Sequence, residues 1–292
     1  MLTRRDLILV ILFSAAINLL HSPSVYGKTD YDYLPQDEVT SIEVEGQPLP
    51  VLVRPWEGKL RLGSVIIIGP SDSNADAAGF ISHLRKSLNP EGWASISLTP
   101  PKGLYRPSFA TGAEEIAKAG SEQLSVSGYQ PTPLYNSAQL LELRNFQQEA
   151  LTKSFTPLEA LSDSYTGLKM YLVSDDSAGI LVSLLFDKKI PAPDVLVLIN
   201  PYREHEELID EPSRRKSIAQ QLLMQTFPVL DLQSPNGHPV SLANAHQRQA
   251  VNQLKSPRLY RQYRLNLRLD NPSGWEEAQN YIEGFARIAT GN

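Results

Sequence analysis

The residues best suited to covalent chemistry stand together at Ser174-Asp175-Asp176-Ser177-Ala178-Gly179, directly after the apolar run Tyr171-Leu172-Val173. A sharp strand-to-helix turn of this kind lifts one side chain above a sheet, where a hydroxyl or a carboxylate can attack an electrophilic carbon. Two registers are open. With Ser177 raised, Asp175-Asp176-Ser177-Ala178-Gly179 matches G-x-S-x-G, except that Asp175 stands in the first glycine position. With Asp176 raised, the flanking small residues are Ser174 and Ala178, which suit a tight turn better. Helix capping by Asp175, Asp176 or Ser177 would account for the same residue types, because each can accept from the first amides of a helix.

A nucleophile needs a base and an acid to orient it. The five histidines are His21, His83, His205, His238 and His246. His83 and His246 fall on helical stretches, and His205 stands among Glu204, Glu206 and Glu207, which would favour its charged form over a free base. His238, in the loop Ser234-Pro235-Asn236-Gly237-His238, is the candidate for a displaced base. Asp231 is the candidate acid, although alternation along Phe227–Leu232 places it inside its strand. The end of the last expected strand and the loop after it, Leu267–Ser273, carry no histidine. On the oxyanion side, Gly69-Pro70-Ser71-Asp72-Ser73-Asn74 offers the Ser71 or Asp72 amide beside that of Ala178, among acidic side chains that disfavour new negative charge.

Neither a cofactor nor a metal ion is expected. Asp72, Asp76, Asp175 and Asp176 have no spacing of a cation-binding loop, and with no cysteine there can be no thiolate ligand, thiol nucleophile or disulfide.

The elements that must hold these residues follow a regular order. Thr40–Glu45 and Pro48–Trp56 predict an antiparallel hairpin about Gly46, preceded by a polar arm, Thr29–Glu38, expected to be loosely held. Val65–Ile68 is a continuous β-branched run, as a strand covered on both faces requires. A helix from Asp76 with Phe80, Ile81, Leu84 and Leu88 on one side leads to a strand at Trp93–Leu98. Residues 100–135 break the rhythm as a long Pro/Gly/Ser-rich insertion, a lid or a mobile excursion, with one short helical candidate at Ala113–Ala119. Helices at Ala138–Leu151 and Pro157–Leu161 come next. Strands at Leu168–Val173, Val195–Ile199, Pro228–Leu232 and Tyr260–Leu269 then alternate with helices at Ser177–Phe186, Pro212–Met224, Leu242–Leu254 and Trp275–Ala289. This order predicts an α/β fold: a mostly parallel eight-stranded sheet with an N-terminal antiparallel hairpin and helices on both faces.

The chain has 292 residues, 41% hydrophobic and 20% charged, with a net charge of -5, so one large domain is expected over 28–292 and nucleic acid has no basic surface to meet. Residues 1–27 are expected to be a signal peptide: Arg4 and Arg5, an apolar stretch Leu7–Leu20, a break at His21-Ser22-Pro23, and small residues for cleavage after Gly27. The apolar stretch is short for a membrane span, so no stable span is expected after cleavage, and the protein should be periplasmic or secreted. The general secretory route fits best; Thr3–Ile8 also resembles a twin-arginine signal, and a retained N-terminal anchor is the other alternative.

The turn at Asp175–Gly179 resembles two elbow types: the Gly-Asp-Ser-Ala-Gly elbow of hormone-sensitive-lipase-like esterases with Ser177 raised, and the aspartate elbow of dehalogenases and epoxide hydrolases with Asp176 raised. Over nearly the whole chain after residue 27, the sequence resembles an uncharacterised family of exported bacterial proteins within the α/β hydrolase superfamily. The residues that carry the likeness are Leu84-Arg85, Gly92-Trp93-Ala94, the degenerate turn, Val197-Leu198-Ile199-Asn200, Pro228-Val229-Leu230-Asp231, Arg248 and Tyr260-Arg261-Gln262. The resemblance implies a hydrolase-like scaffold and no particular reaction. Two functions are expected from it: a catalytically impaired envelope protein binding a small molecule or another envelope protein in a polar pocket around Asp176, Ser177 and Ser71–Asn74, or an esterase using Ser177 with Asp231 and His238.

Overall fold

The computed structural model describes residues 31–103, 137–203, 216–253 and 259–291. Eight strands run β1 (Val39–Val44), β2 (Gln47–Arg54), β3 (Gly63–Ile68), β4 (Trp93–Leu98), β5 (Leu168–Ser174), β6 (Val195–Ile199), β7 (Val229–Gln233) and β8 (Tyr260–Arg264). They form one sheet in the order β1-β2-β4-β3-β5-β6-β7-β8. Only β1 with β2 and β2 with β4 pair antiparallel; the other neighbours are parallel.

The central strands are apolar on both faces along most of their length because both faces are covered. Ile66, Ile68, Tyr171, Val173, Leu196 and Leu198 face one layer, formed by α2 (Ser137–Ser162), α3 (Asp175–Phe186) and α4 (Ile218–Leu222), through Leu151, Phe155, Leu158, Leu181, Leu184 and Leu222. Val65, Ile67, Met170, Leu172, Val195 and Val197 face the other, where α1 (Phe80–Ser87) and α6 (Pro272–Thr290) supply Phe80, Leu84, Ala278, Ile282 and Phe285. A further helix, α5 (Pro239–Gln249), runs into a 3-10 turn at Ala250–Gln253 between β7 and β8.

Several expectations are corrected. The two helices expected around Pro157 are one: α2 passes through that proline. A proline inside a helix costs about 3 kcal/mol, but Leu151, Phe155 and Leu158, all at most 1% exposed, anchor the helix on both sides of it. The described part of the N-terminal arm is not loose. Tyr31 is buried and its hydroxyl lies 2.7 Å from Thr99 Oγ1, while Glu38 accepts from the buried Arg85 at 2.5 Å. Strand β8 stops at Arg264, and α4 is a five-residue helix closed by a reciprocal cap between Ser217 and Gln220. The helix expected at Ala113–Ala119, most of the 100–135 insertion and the expected signal segment lie outside the described residues.

No helix among the described residues is long and apolar enough to cross a membrane.

Candidate functional site

At the carboxyl end of β5 the backbone turns from strand to helix in a single residue. Ser174 is extended, with φ -118° and ψ 153°, and Asp175 has a φ of 56°. A left-handed φ on a non-glycine residue at this junction is what raises a side chain above the sheet. The left-handed residue of the turn is therefore Asp175, one position before the Asp176 register and two before the Ser177 register. Ser177 is the small residue two places on. It is 1% exposed, and its Oγ makes no hydrogen bond among the described residues. Here its size is what the turn requires, and no imidazole among the described residues hydrogen-bonds its hydroxyl.

Gly179 shows how tight the surroundings are. A Cβ there would sit 2.1 Å from the carbonyl oxygen of Tyr202, so the chain leaving β6 can cross the first turn of α3 only over a glycine. Across the same contact, the Tyr202 amide donates to the Asp175 carbonyl at 3.3 Å.

Asp176 turns toward the loop after β3. Its Oδ1 accepts from the Ser71 amide at 3.1 Å, and its Oδ2 accepts from the Ser71 hydroxyl. In an elbow of this design, oxyanion donors come from the residue after the raised one and from the loop after β3. Ser71 is on that loop, and its amide already donates to a side-chain carboxylate of the protein. The Asp72 amide and that of Ala178 take no part in this contact.

Asp231 and His238 do not complete a triad with Ser177. Asp231 is fully buried, and its Oδ2 accepts from Arg248 Nε at 2.8 Å, from the Tyr260 hydroxyl at 2.7 Å and from Gln262 Nε2 at 2.9 Å. It therefore belongs to a buried ion pair. Burial, with the Asp231 carboxylate adding to it, keeps the Tyr260 hydroxyl protonated well above the ordinary tyrosine range. His238 is the N-cap of α5. Its Nδ1 accepts from the Val240 amide at 3.3 Å, and its ring stacks on Tyr202 with centroids 4.0 Å apart. Accepting through Nδ1 places the proton of the neutral ring on Nε2, which makes that nitrogen a donor.

The other described histidines are engaged elsewhere: His83 with Gln279 across α1 and α6, and His246 with the carbonyl of Ala243. His205 lies outside the described residues.

The loops that would carry an acid and a base hold a set of amides instead. Asn200, with a φ of 48°, accepts through Oδ1 from Gln233 Nε2 at 2.9 Å and from the Ser234 amide at 2.8 Å. Asn236 Oδ1 accepts from the Ser234 hydroxyl and from the Leu269 amide, each at 3.0 Å. These bonds tie the ends of β6, β7 and β8 together. Nothing in the residue types announces them, because an asparagine or serine in a loop is compatible with almost any role.

Beside Asp176, α2 and α3 diverge to leave a cleft lined by Leu140, Leu143, Arg144, Gln147, Asp176, Ile180 and Arg203. Arg203 is buried; its Nε donates to the Gly179 carbonyl at 3.3 Å, one Nη to the Lys216 carbonyl at 3.1 Å, and the other to Gln221 Oε1. Among the described residues, no group of three or more His, Asp or Glu could hold a metal ion.

A family model described as protein of unknown function (DUF3530) matches residues 25–288. The chain belongs to this family. No curated protein matches this DUF3530 chain in sequence. Solved structures do match it in shape. Est1E from Butyrivibrio proteoclasticus has a TM-score of 0.55 at 10% identity, covering 87% of this chain and 100% of that one. TT1662 from Thermus thermophilus has a TM-score of 0.54 at 13% identity, covering 85% and 97%. A dienelactone hydrolase from Anabaena variabilis has a TM-score of 0.52 at 12% identity, covering 85% and 94%. At such identities the likeness is one of fold, and the fold of this DUF3530 member is that of the α/β hydrolases.

Proposed function

We propose that this DUF3530 protein is an exported envelope protein that uses a hydrolase scaffold to bind a small molecule or another envelope protein and does not hydrolyse what it binds. One observation carries the reading. The Ser71 amide, the donor an acyl-transfer site would aim at a developing oxyanion, is held by the Asp176 carboxylate. A tetrahedral intermediate would have to displace a negative charge before it could be stabilised there. The buried Ser177 hydroxyl, with no hydrogen-bond partner among the described residues, points the same way.

Export is supported by the sequence of residues 1–27 and by a family match that begins at residue 25, close to the expected cleavage after Gly27. The periplasm, reached by general secretion, is the compartment these features favour.

The test uses the protein recovered from the envelope fraction of cells expressing the full chain, with its mass checked for cleavage after Gly27. It is treated with a fluorophosphonate probe beside Ser177→Ala. No label is expected on either. A label on the parent that disappears in Ser177→Ala would restore the esterase reading and overturn this one.

A further inference from the structure

We infer that the loop joining β2 to β3 is a membrane-surface contact, seating the protein peripherally on a bilayer that carries anionic headgroups. The inference does not depend on what the cleft binds, because the loop lies at the other end of the sheet. Arg54, the last residue of β2, pairs with Ser95, while Gly63, Trp93 and Leu168 stand side by side at the starts of β3, β4 and β5. Residues 55–62 therefore cross the amino ends of the parallel strands, away from the turn after β5.

Glu57–Arg61 are exposed at every position, and Leu60 is 51% exposed between Lys59 and Arg61. Neither of these cations has a hydrogen bond or ion pair among the described residues. Arg61 lies over the Trp56 ring, 5.4 Å from its centroid, and Trp56 meets the edge of Tyr165 at 5.3 Å; both rings are half-buried. The acids around them are paired: Glu57 with Arg54 at 3.2 Å, Glu91 with Arg287 at 3.6 Å and Asp163 with Lys169 at 2.8 Å. The uncompensated charge of the loop is positive, in a chain of net charge -5 that an anionic surface would otherwise repel. An apolar tip between two cations, backed by a tryptophan and a tyrosine, is the side-chain set of a membrane interface: the leucine enters the acyl boundary, the cations stay at the phosphates and the rings sit at headgroup level. The loop is also built in advance. The Glu57 amide donates to the Asn89 carbonyl at 2.9 Å and the Leu62 amide to the Gly92 carbonyl at 2.8 Å, and a Cβ on Gly92 would come within 2.8 Å of Leu60 Cγ, so the tip rests on a glycine. Little freedom is left to lose on binding. An acidic protein would meet the cations alone, whereas a bilayer meets the cations and takes up the leucine as well.

Cosedimentation with lipid vesicles tests this, using the protein recovered from the envelope fraction as in the preceding test. The vesicles are phosphatidylcholine alone or with about one-third phosphatidylglycerol, enough to set a negative surface potential. Binding to the phosphatidylglycerol vesicles is expected, falling as salt is raised, with little binding to phosphatidylcholine. Lys59→Gln and Arg61→Gln should each weaken it about fivefold, and Leu60→Ser at least about threefold. The two glutamine variants change exposed side chains only, so they decide the matter if Leu60→Ser does not fold. Binding that is as tight to phosphatidylcholine alone, or that is unchanged when Lys59→Gln and Arg61→Gln are combined, overturns the inference. So does binding to neither vesicle; if soluble polyglutamate then binds and the combined variant loses it, the surface belongs to an acidic protein partner instead. None of these outcomes bears on whether the protein hydrolyses what it binds, which the fluorophosphonate label decides.

Discussion

Asp175 holds a φ of 56°, a conformation that aspartate, asparagine and glycine tolerate and β-branched side chains do not. Asp175→Val should therefore lower the unfolding free energy by about 1–3 kcal/mol, while Asp175→Asn stays within about 1 kcal/mol of the parent. Urea denaturation of the three proteins gives the comparison, and equal losses for Val and Asn would mean that the side-chain charge, not the backbone, is what matters there. This residue also marks the limit of reading the site from sequence. Asp175, Asp176 and Ser177 are all acceptable at a helix start, so residue type cannot say which one the backbone raises. The Ser71–Asp176 contact was hidden for a related reason, since it joins a loop to the first turn of a helix more than a hundred positions away.

Among the elements, β7, α5 and β8 are joined by a buried polar chain. Arg248 on α5 donates to Asp231 on β7 and, through another nitrogen, to Gln233 Oε1 at 2.8 Å. Gln233 also accepts from Ser241 at 2.9 Å and donates to Asn200, so the chain runs from the β8 edge to the end of β6. Removing one member of a buried pair strands the other charge. Arg248→Met should cost about 3–5 kcal/mol, and Asp231→Leu with Arg248→Met should regain most of that loss. A double variant no more stable than the single one, by thermal or urea unfolding, would show that the pair does more than neutralise itself. The strands of this region were legible, because Val195–Ile199 and Val229–Leu232 are the near-continuous apolar runs of a covered parallel sheet. The exception within that run, Asp231, was read as a candidate acid because its partners come from other elements. Pro157 misled in the opposite direction: local propensity ends a helix that tertiary burial carries on.

At the scale of the whole molecule, two buried tyrosines hold elements together through their protons, one joining the sheet to a helix and the other joining neighbouring strands. Tyr171 donates to Glu159 of α2 at 2.5 Å and Tyr260 donates to Asp231; burial first, and then the neighbouring carboxylates, raise both above the ordinary tyrosine value. In the unfolded chain both would titrate near pH 10. Their contribution to stability is therefore fully present below about pH 10 and declines as pH rises above it, because the unfolded state releases protons that the folded state keeps. Unfolding free energies measured at about pH 8, 10 and 11 should show the larger part of the decline in the last interval, and Tyr171→Phe should reduce its slope. An unchanged slope would assign the alkaline loss to other groups.

The contact between Ser71 and Asp176 bears on the molecule in one more way. Working active sites are places of local frustration, where donors are kept waiting for a transition state and the rest of the fold compensates. Here that frustration is relieved from within, so the turn after β5 and the loop after β3 support one another instead of straining apart. On the binding function proposed above, a scaffold relieved in this way gives up the conflict between activity and stability that constrains a hydrolase, and substitutions around its elbow are free to serve recognition.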